Sequence, residues 1–159
     1  MPLNVLLVEP KTPGNIGAVA RVMRNFGAQQ LFLLEPRCVV GERARRRSRG
    51  GESILREATY VQRIADCEAD VVIGTSGVTG DSYNVLRRPV GPRDLAQRLD
   101  RSRDILLVFG REDHGLSNKE LRRCDAFAHI PAARDYPVLN LSHAVGIMLY
   151  EFSRTETKT

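Results

Sequence analysis

Four short aliphatic runs, Leu3–Val8, Leu31–Leu34, Val71–Gly74 and Ile105–Phe109, lack the regular polar alternation of a strand with one wet face. Runs of this kind belong to a parallel sheet whose two faces are both covered by helices. Glu9-Pro10 ends the first run and Pro36 follows the second, as expected where a strand gives way to a connection. Between the runs the apolar spacing changes to that of a helix: Ile16, Val19, Ala20, Met23 and Phe26 recur on one face of Gly14–Phe26. Further helices are predicted over Glu52–Ala58, Pro92–Leu99, Asn118–Cys124 and Leu141–Arg154, and a short strand ends at Ile130. The alternation predicts an α/β chain, a single-domain parallel sheet in an α/β/α layered arrangement over residues 1–154, with 155–159 as a frayed tail. Ligands of such folds sit at the carboxyl ends of the strands, which directs attention to Glu9, Thr75, Phe109 and Ile130.

Composition narrows the setting. No apolar run approaches the length of a membrane span, and the first residues have no secretory pattern, so a soluble cytoplasmic protein with no membrane association is expected. Cys38, Cys67 and Cys124 are scattered and odd in number, and His114, His129 and His143 complete no ligand spacing. Thiols without disulfides, and no metal, are expected; an inter-chain or redox role for a cysteine is the other possibility. The net charge is +5, and of 24 basic residues only Lys11, Lys119 and Lys158 are lysines. Arginine suits RNA, because its planar fork binds phosphate and stacks on bases. A GC-rich genome enriches arginine equally well.

Several segments could carry chemistry. Gly14–Arg21 opens the first helix, where exposed N–H groups attract anions. Its glycines permit a tight turn, and Asn15 with Arg21 could hold an RNA phosphate or ribose, Arg24 lying one turn further on. A capped helix with a solvated basic face reads the same residues. Val72–Gly80 is a loose echo of a nucleotide-binding glycine loop, and a plain turn accounts for it better. In Phe109–Leu116, Gly110 would let backbone approach a ligand and Glu112 could order Arg111 or a ligand donor; a polar turn capped by Ser117 or Asn118 is the alternative. Ile130–His143 joins a strand to the last helix with two prolines and little polarity, and could wrap an adenine in main-chain atoms. Asn140 is a natural cap for that helix. Ser142 and His143, adjacent on a helix, cannot face each other as nucleophile and base, and no nucleophile elbow exists. Finally, Arg43, Arg45, Arg46, Arg47 and Arg49 crowd an irregular charged insert, Cys38–Gly51, and Arg87-Arg88 repeat the theme more weakly. RNA-backbone contact or a solvated face fits both.

Taken in order, NIGAVAR, FGREDHGL and IPAARDYPVLNLSHAVGI resemble the motifs of the SPOUT superfamily, in particular its TrmH/TrmJ-type tRNA 2′-O-methyltransferases. The resemblance runs from about Leu3 to Phe152. It implies a C-terminal deep trefoil knot, a homodimer with an active site built from both subunits, and S-adenosylmethionine as cofactor. It also implies tRNA as substrate, with position 32 of the anticodon loop as target. The cofactor-binding positions would be Thr75, Ser76, Gly77, Gly110, Ile130, Pro137, Val138 and Leu139. Asn15, Arg21, Glu112 and Asn140 match the family's functional positions. Where many relatives carry serine two residues before the last-motif asparagine, this chain has Val138. Two other classes fit the residues less well: a non-catalytic knotted RNA-binding or ribosome-assembly protein, and a nucleotide-dependent enzyme on an ordinary doubly wound fold.

Overall fold

The computed structural model describes residues 2–76 and 88–154. Within them, six strands form one parallel sheet in the order β3-β2-β1-β5-β4-β6. Leu3–Val8 (β1) lies at its centre, between Leu31–Leu34 (β2) and Ile105–Phe109 (β5). Thr59–Val61 (β3) edges one side; Val71–Ser76 (β4) and Ala126–His129 (β6) complete the other. β3 is three residues long with two of them exposed, which leaves no aliphatic run to announce it in the sequence.

The β1 side chains show why polar alternation is missing. Leu3, Val5 and Leu7 point into one apolar cluster and Leu6 and Val8 into another, so both faces of the strand are dry. Burying each such side chain stabilises the fold by roughly 1.5–3 kcal/mol. The two faces are covered unequally. Helices Pro13–Asn25 (α1), Pro92–Arg98 (α4) and Leu141–Ser153 (α6) contribute Ile16, Met23, Leu95, Val145 and Phe152 to the first cluster. The second is closed by Leu121 of the short helix Asn118–Leu121 (α5), by Leu116 and Cys124, and by Ile64 and Cys67. No disulfide joins Cys38, Cys67 and Cys124, and burial pushes the Cys67 thiol up to about 12. Among the described residues, no helix is long and apolar enough to cross a membrane.

The segment Cys38–Gly51, expected to be irregular, contains a helix, Glu42–Ser48 (α2), followed by a 3₁₀ turn at Arg49–Gly51 and helix Glu52–Arg56 (α3). Ala44 and Ser48, one turn apart, are its buried side, and Arg43, Arg45, Arg46, Arg47 and Arg49 remain exposed. The fold here depends on close backbone approach. A Cβ on Gly17 of α1 would lie 2.1 Å from the Ala44 carbonyl oxygen, and one on Gly51 would lie 2.7 Å from the Ala20 carbonyl oxygen. Gly17 is therefore not the tight-turn residue its position suggested: it sits inside α1, buried, where α2 crosses. The helix instead starts at Pro13, whose missing N–H costs nothing in the first turn.

Gly17→Ala should cost about 1–3 kcal/mol in urea unfolding, the range for overpacking, despite alanine's better helix propensity. An unchanged or raised midpoint would show that α2 does not press on α1 at this point.

Candidate active site

At the carboxyl ends of β4, β5 and β6 the chain leaves a cleft of about 240 Å³. One wall is the loop after β5, from Gly110 to Leu116; the other is Ile130 and the segment Pro137–Leu139, with Ala144 of α6 behind. Thr75 forms part of the floor, where its hydroxyl donates to the Val108 carbonyl at 3.0 Å. The lining is largely aliphatic on one side, while Glu112 and Asp113 contribute carboxylates on the other.

The loop after β5 is shaped by its own backbone. Arg111 and Gly115 pair antiparallel, with Arg111 N–H to Gly115 O at 3.1 Å and Gly115 N–H to Arg111 O at 2.9 Å. A Cβ on Gly110 would stand 2.2 Å from the Gly115 carbonyl carbon, so the hairpin itself requires glycine at this cleft-lining position. Gly115 itself has φ +66°, a conformation glycine adopts without strain.

Charge fixes the loop to its neighbours. Leu7 pairs with Phe109 across β1 and β5, so Glu9 and Arg111 stand two residues beyond that pair. Arg111 donates to Glu9, to the Gly115 carbonyl and, with both terminal nitrogens, to Glu120 at 2.7 and 3.1 Å. Arg37 holds Glu9 from the β2 side. Glu9 and Glu120, not Glu112, order Arg111, which removes the first of the two roles the sequence left open for Glu112. Hydrogen bonds from Arg37 and Arg111 hold the Glu9 carboxyl below its usual range. Burial works against ionisation of Glu120, but Arg111 and Ser117 outweigh it and lower that carboxyl too. Ser117 also caps α5, the first of the two candidates, with Glu120 closing the capping box.

Glu112 instead begins a line of side-chain amides. Its Oε2 accepts the Lys11 backbone N–H at 2.9 Å and its Oε1 accepts Asn15 Nδ2 at 3.2 Å. Asn15 Oδ1 accepts Asn140 Nδ2 at 3.2 Å. Asn140 Oδ1 accepts the Ser142 backbone N–H at 2.9 Å and the Ser142 hydroxyl at 2.7 Å, and so caps α6. A backbone N–H can only donate, so the Asn140 atom facing it is oxygen; this fixes both amides in turn. Three segments distant in sequence thus meet at one lip of the cleft.

Of the other expected site residues, Ile130, Pro137, Val138 and Leu139 line the cleft, and Ser76 ends β4. Gly77 and Arg87 lie outside the described residues. Arg21 is exposed on α1, six residues or roughly 9 Å of helix beyond Asn15, and does not line the cleft of the single chain. Arg24 and Arg88 are exposed as well. Among the described residues Arg21 has no ion pair. Arg47 bridges the two basic regions: its side chain runs beside Gly14, with Cγ 3.7 Å from where a Cβ would be. The joining of Arg111 to Glu9 and Glu120, and of Lys11 to Glu112, was not legible in the sequence. The one available signal was opposite charge just beyond two strand ends.

An open parallel sheet with a cleft beyond its carboxyl ends, near the point where strand order reverses about β1 and β5, defines a ligand-binding α/β protein of the open-sheet type. The SpoU rRNA Methylase family matches residues 2–150, and the chain belongs to that family. It is 40% identical over 152 residues to the tRNA (cytidine-2′-O-)-methyltransferase TrmJ of Methanocaldococcus jannaschii, covering 94% of this chain and 66% of that protein. It is 38% identical to the tRNA (cytidine/uridine/adenosine-2′-O-)-methyltransferase TrmJ of Pseudomonas aeruginosa, covering 94% and 59%. The chain thus spans about two thirds or less of these curated relatives. Among solved structures, TrmJ from Z. mobilis superimposes with a TM-score of 0.87 at 26% identity, over 100% of this chain and 71% of that one. The SpoU methyltransferase AviRb of Streptomyces viridochromogenes, in complex with the cofactor AdoMet, does so at 0.78 and 27%, over 99% and 58%.

Because Glu9 and Glu120 ionise more readily in the folded chain, their contribution is present above about pH 4.5, their ordinary value, and is lost as pH falls through the lowered ones. Arg111→Met should therefore destabilise the protein at pH 7, and the gap to wild type should shrink as unfolding is measured at successively lower pH. A gap constant across that range would assign the loss to packing alone.

Proposed function

We propose that this chain is an S-adenosylmethionine-dependent RNA 2′-O-methyltransferase acting on tRNA in the cytoplasm, with position 32 of the anticodon loop as its target. The observation that carries the proposal is the line Glu112–Asn15–Asn140, which joins all three family motifs at the lip of the cleft. The TrmJ relatives support tRNA as substrate. The cleft suits the cofactor chemically, because aliphatic residues such as Ile130 and Leu139 offer a surface for a purine. Thr75, Ser76, Gly77, Gly110, Ile130, Pro137, Val138 and Leu139 would hold it. When bound, S-adenosylmethionine supplies an electrophilic methyl group on a sulfonium sulfur.

The chain's own residues would present a ribose to that methyl group. Correct placement of the two reacting atoms contributes several kcal/mol to the rate on its own. Guanidinium is not a base in proteins, so Arg21 serves as a fixed positive charge. It would grip the phosphate beside the target sugar and stabilise negative charge developing on O2′. A phosphate oxygen or water then takes the hydroxyl proton. Glu112 is committed to two donors, Lys11 N–H and Asn15, which suits an ordering role. Asn15 and Asn140, each with one amide N–H beyond the line, would orient the ribose or Arg21. No metal enters this scheme.

Because Arg21 stands away from the cleft of its own chain, it would serve the cleft of a second copy in a homodimer. The exposed apolar side chains Ile147 and Tyr150 on α6, at 37% and 50% exposure, supply a face for that pairing. The C-terminal part would form the deep trefoil knot that the family resemblance implies. Arg24, Arg43, Arg45, Arg46, Arg47 and Arg49, continuous with Arg21 across the α1–α2 crossing, would track the RNA backbone, joined by Arg87 and Arg88.

Mass spectrometry of nucleosides from tRNA incubated with the protein and labelled cofactor should find one 2′-O-methylated nucleoside. Cofactor binding without transfer to any RNA would favour a non-catalytic scaffold. Arg21→Ala should lower turnover by about a hundredfold or more, while calorimetry finds cofactor affinity unchanged; near-normal rates would refute the assigned role. Replacing the five arginines of Arg43–Arg49 by serine should weaken RNA binding and flatten its salt dependence, by about 0.7–0.9 in log–log slope for each phosphate no longer neutralised. An unaltered slope would make that surface a solubility feature.

A further inference from the structure

We propose that Tyr136 is a stacking platform for the nucleobase of the nucleotide being modified. The proposal rests on the RNA-methylating function inferred above. Tyr136 is 80% exposed, more than any other aromatic residue described. The other exposed tyrosines among the described residues are accounted for. Tyr150 packs edge-on against Phe26, with ring centroids 6.2 Å apart, and lies under the Arg154 guanidinium at 5.2 Å. Tyr60, at 60%, sits on β3 at the opposite edge of the sheet from the cleft-forming strand β6. Tyr136 has no ring partner among the described residues, and it directly precedes Pro137, Val138 and Leu139 of the cleft wall.

Its backbone is held even though its ring is not. The Tyr136 N–H donates to the Ala133 carbonyl at 3.1 Å, closing a turn, and the following Pro137 restricts Tyr136 to extended conformations. A large, rigid, two-faced ring therefore projects from an ordered segment into solvent at the rim of the site. Burial of the fold does not require it there.

In a single-stranded loop the nucleotide whose sugar enters a cleft can be splayed out of the stack, and the base it carries then loses its neighbours. Aromatic side chains replace such neighbours in single-stranded RNA sites, irrespective of base identity, because every base has a π-face. The exposed Arg134 two residues earlier supplies a positive charge for the adjoining backbone, with the acid Asp135 between them. Tyr136 would thus hold the base while the sugar faces the cleft. It touches substrate but not the reacting atoms.

The test compares the full-length wild type with Y136A, Y136F and Y136W. RNA binding is read by filter retention, methyl transfer from labelled cofactor by its kcat and KM, cofactor affinity by calorimetry, and mass by sedimentation. Y136A should weaken RNA binding and raise the RNA KM about five- to a hundredfold, with cofactor affinity and mass unchanged; Y136F and Y136W should stay near wild type. RNA lacking the base at the methylated position should lose the same factor with wild type and nothing more with Y136A. Equal RNA affinity in Y136A and wild type would overturn the proposal. So would a loss accompanied by altered mass, which would place the ring against a second copy, or by weakened cofactor binding. If the wild type binds RNA without methylating it, the function proposed above fails, whereas the binding comparison still decides the role of Tyr136.

Discussion

Pairing of Leu7 with Phe109 between β1 and β5 determines where everything at the top of the sheet lies. Two residues past that pair, Glu9 and Arg111 emerge from adjacent parallel strands and meet. From there Arg111 reaches Glu120 at the start of α5, and Glu9 reaches Arg37 after β2. A slip of one residue in this register would turn Arg111 to the opposite face, leaving Glu9 with Arg37 alone and Glu120 without its cation. The apolar core makes such a slip costly, because Leu3, Val5 and Leu7 would exchange places with Leu6 and Val8. Hydrophobic packing thus sets the register, and the register places the charges. Those charges hold the hairpin that forms one wall of the cleft.

A second constraint operates at the side of the sheet. Gly17 and Gly51 bring the backbone of α1 within contact of the segment that follows it, and side chains there would force the helices apart. The arginines of α2 owe their location to this contact. Ala44 and Ser48 face inward, so the intervening positions turn outward, and Arg47 runs beside Gly14 in the first turn of α1. A loop with the same composition could have placed that charge anywhere within its reach.

The layered parallel architecture was readable because it depends on patterns within segments: aliphatic runs for β1, β2, β4 and β5, and helical periodicity for α1 and α6. The extents of α3, α4 and α5 shifted by a few residues at their carboxyl ends, where helices fray. The edge strand β3 escaped because Thr59 and Tyr60 are exposed and only Val61 is buried. Helix α2 escaped because its apolar side consists of alanine and serine, too small to register beside five arginines. At the site, the cleft walls Gly110, Ile130 and Pro137–Leu139 were found through motif resemblance, whereas the Arg111 network depends on strand order. Nothing in the local sequence says that β5, rather than β4, lies next to β1.

The line of amides from Asn140 to Glu112 has a direction, and the direction originates in the first turn of α6. Its opening N–H dictates that Asn140 presents oxygen to the helix and nitrogen outward; Asn15 must then do the same, and only an acceptor can terminate the row. Aspartate, though the same size as asparagine, has no hydrogen to pass along when ionised, so exchanging either amide for it breaks the row at the next link. The final helix therefore governs how a carboxylate is occupied in a loop almost thirty residues earlier, with no movement of backbone required.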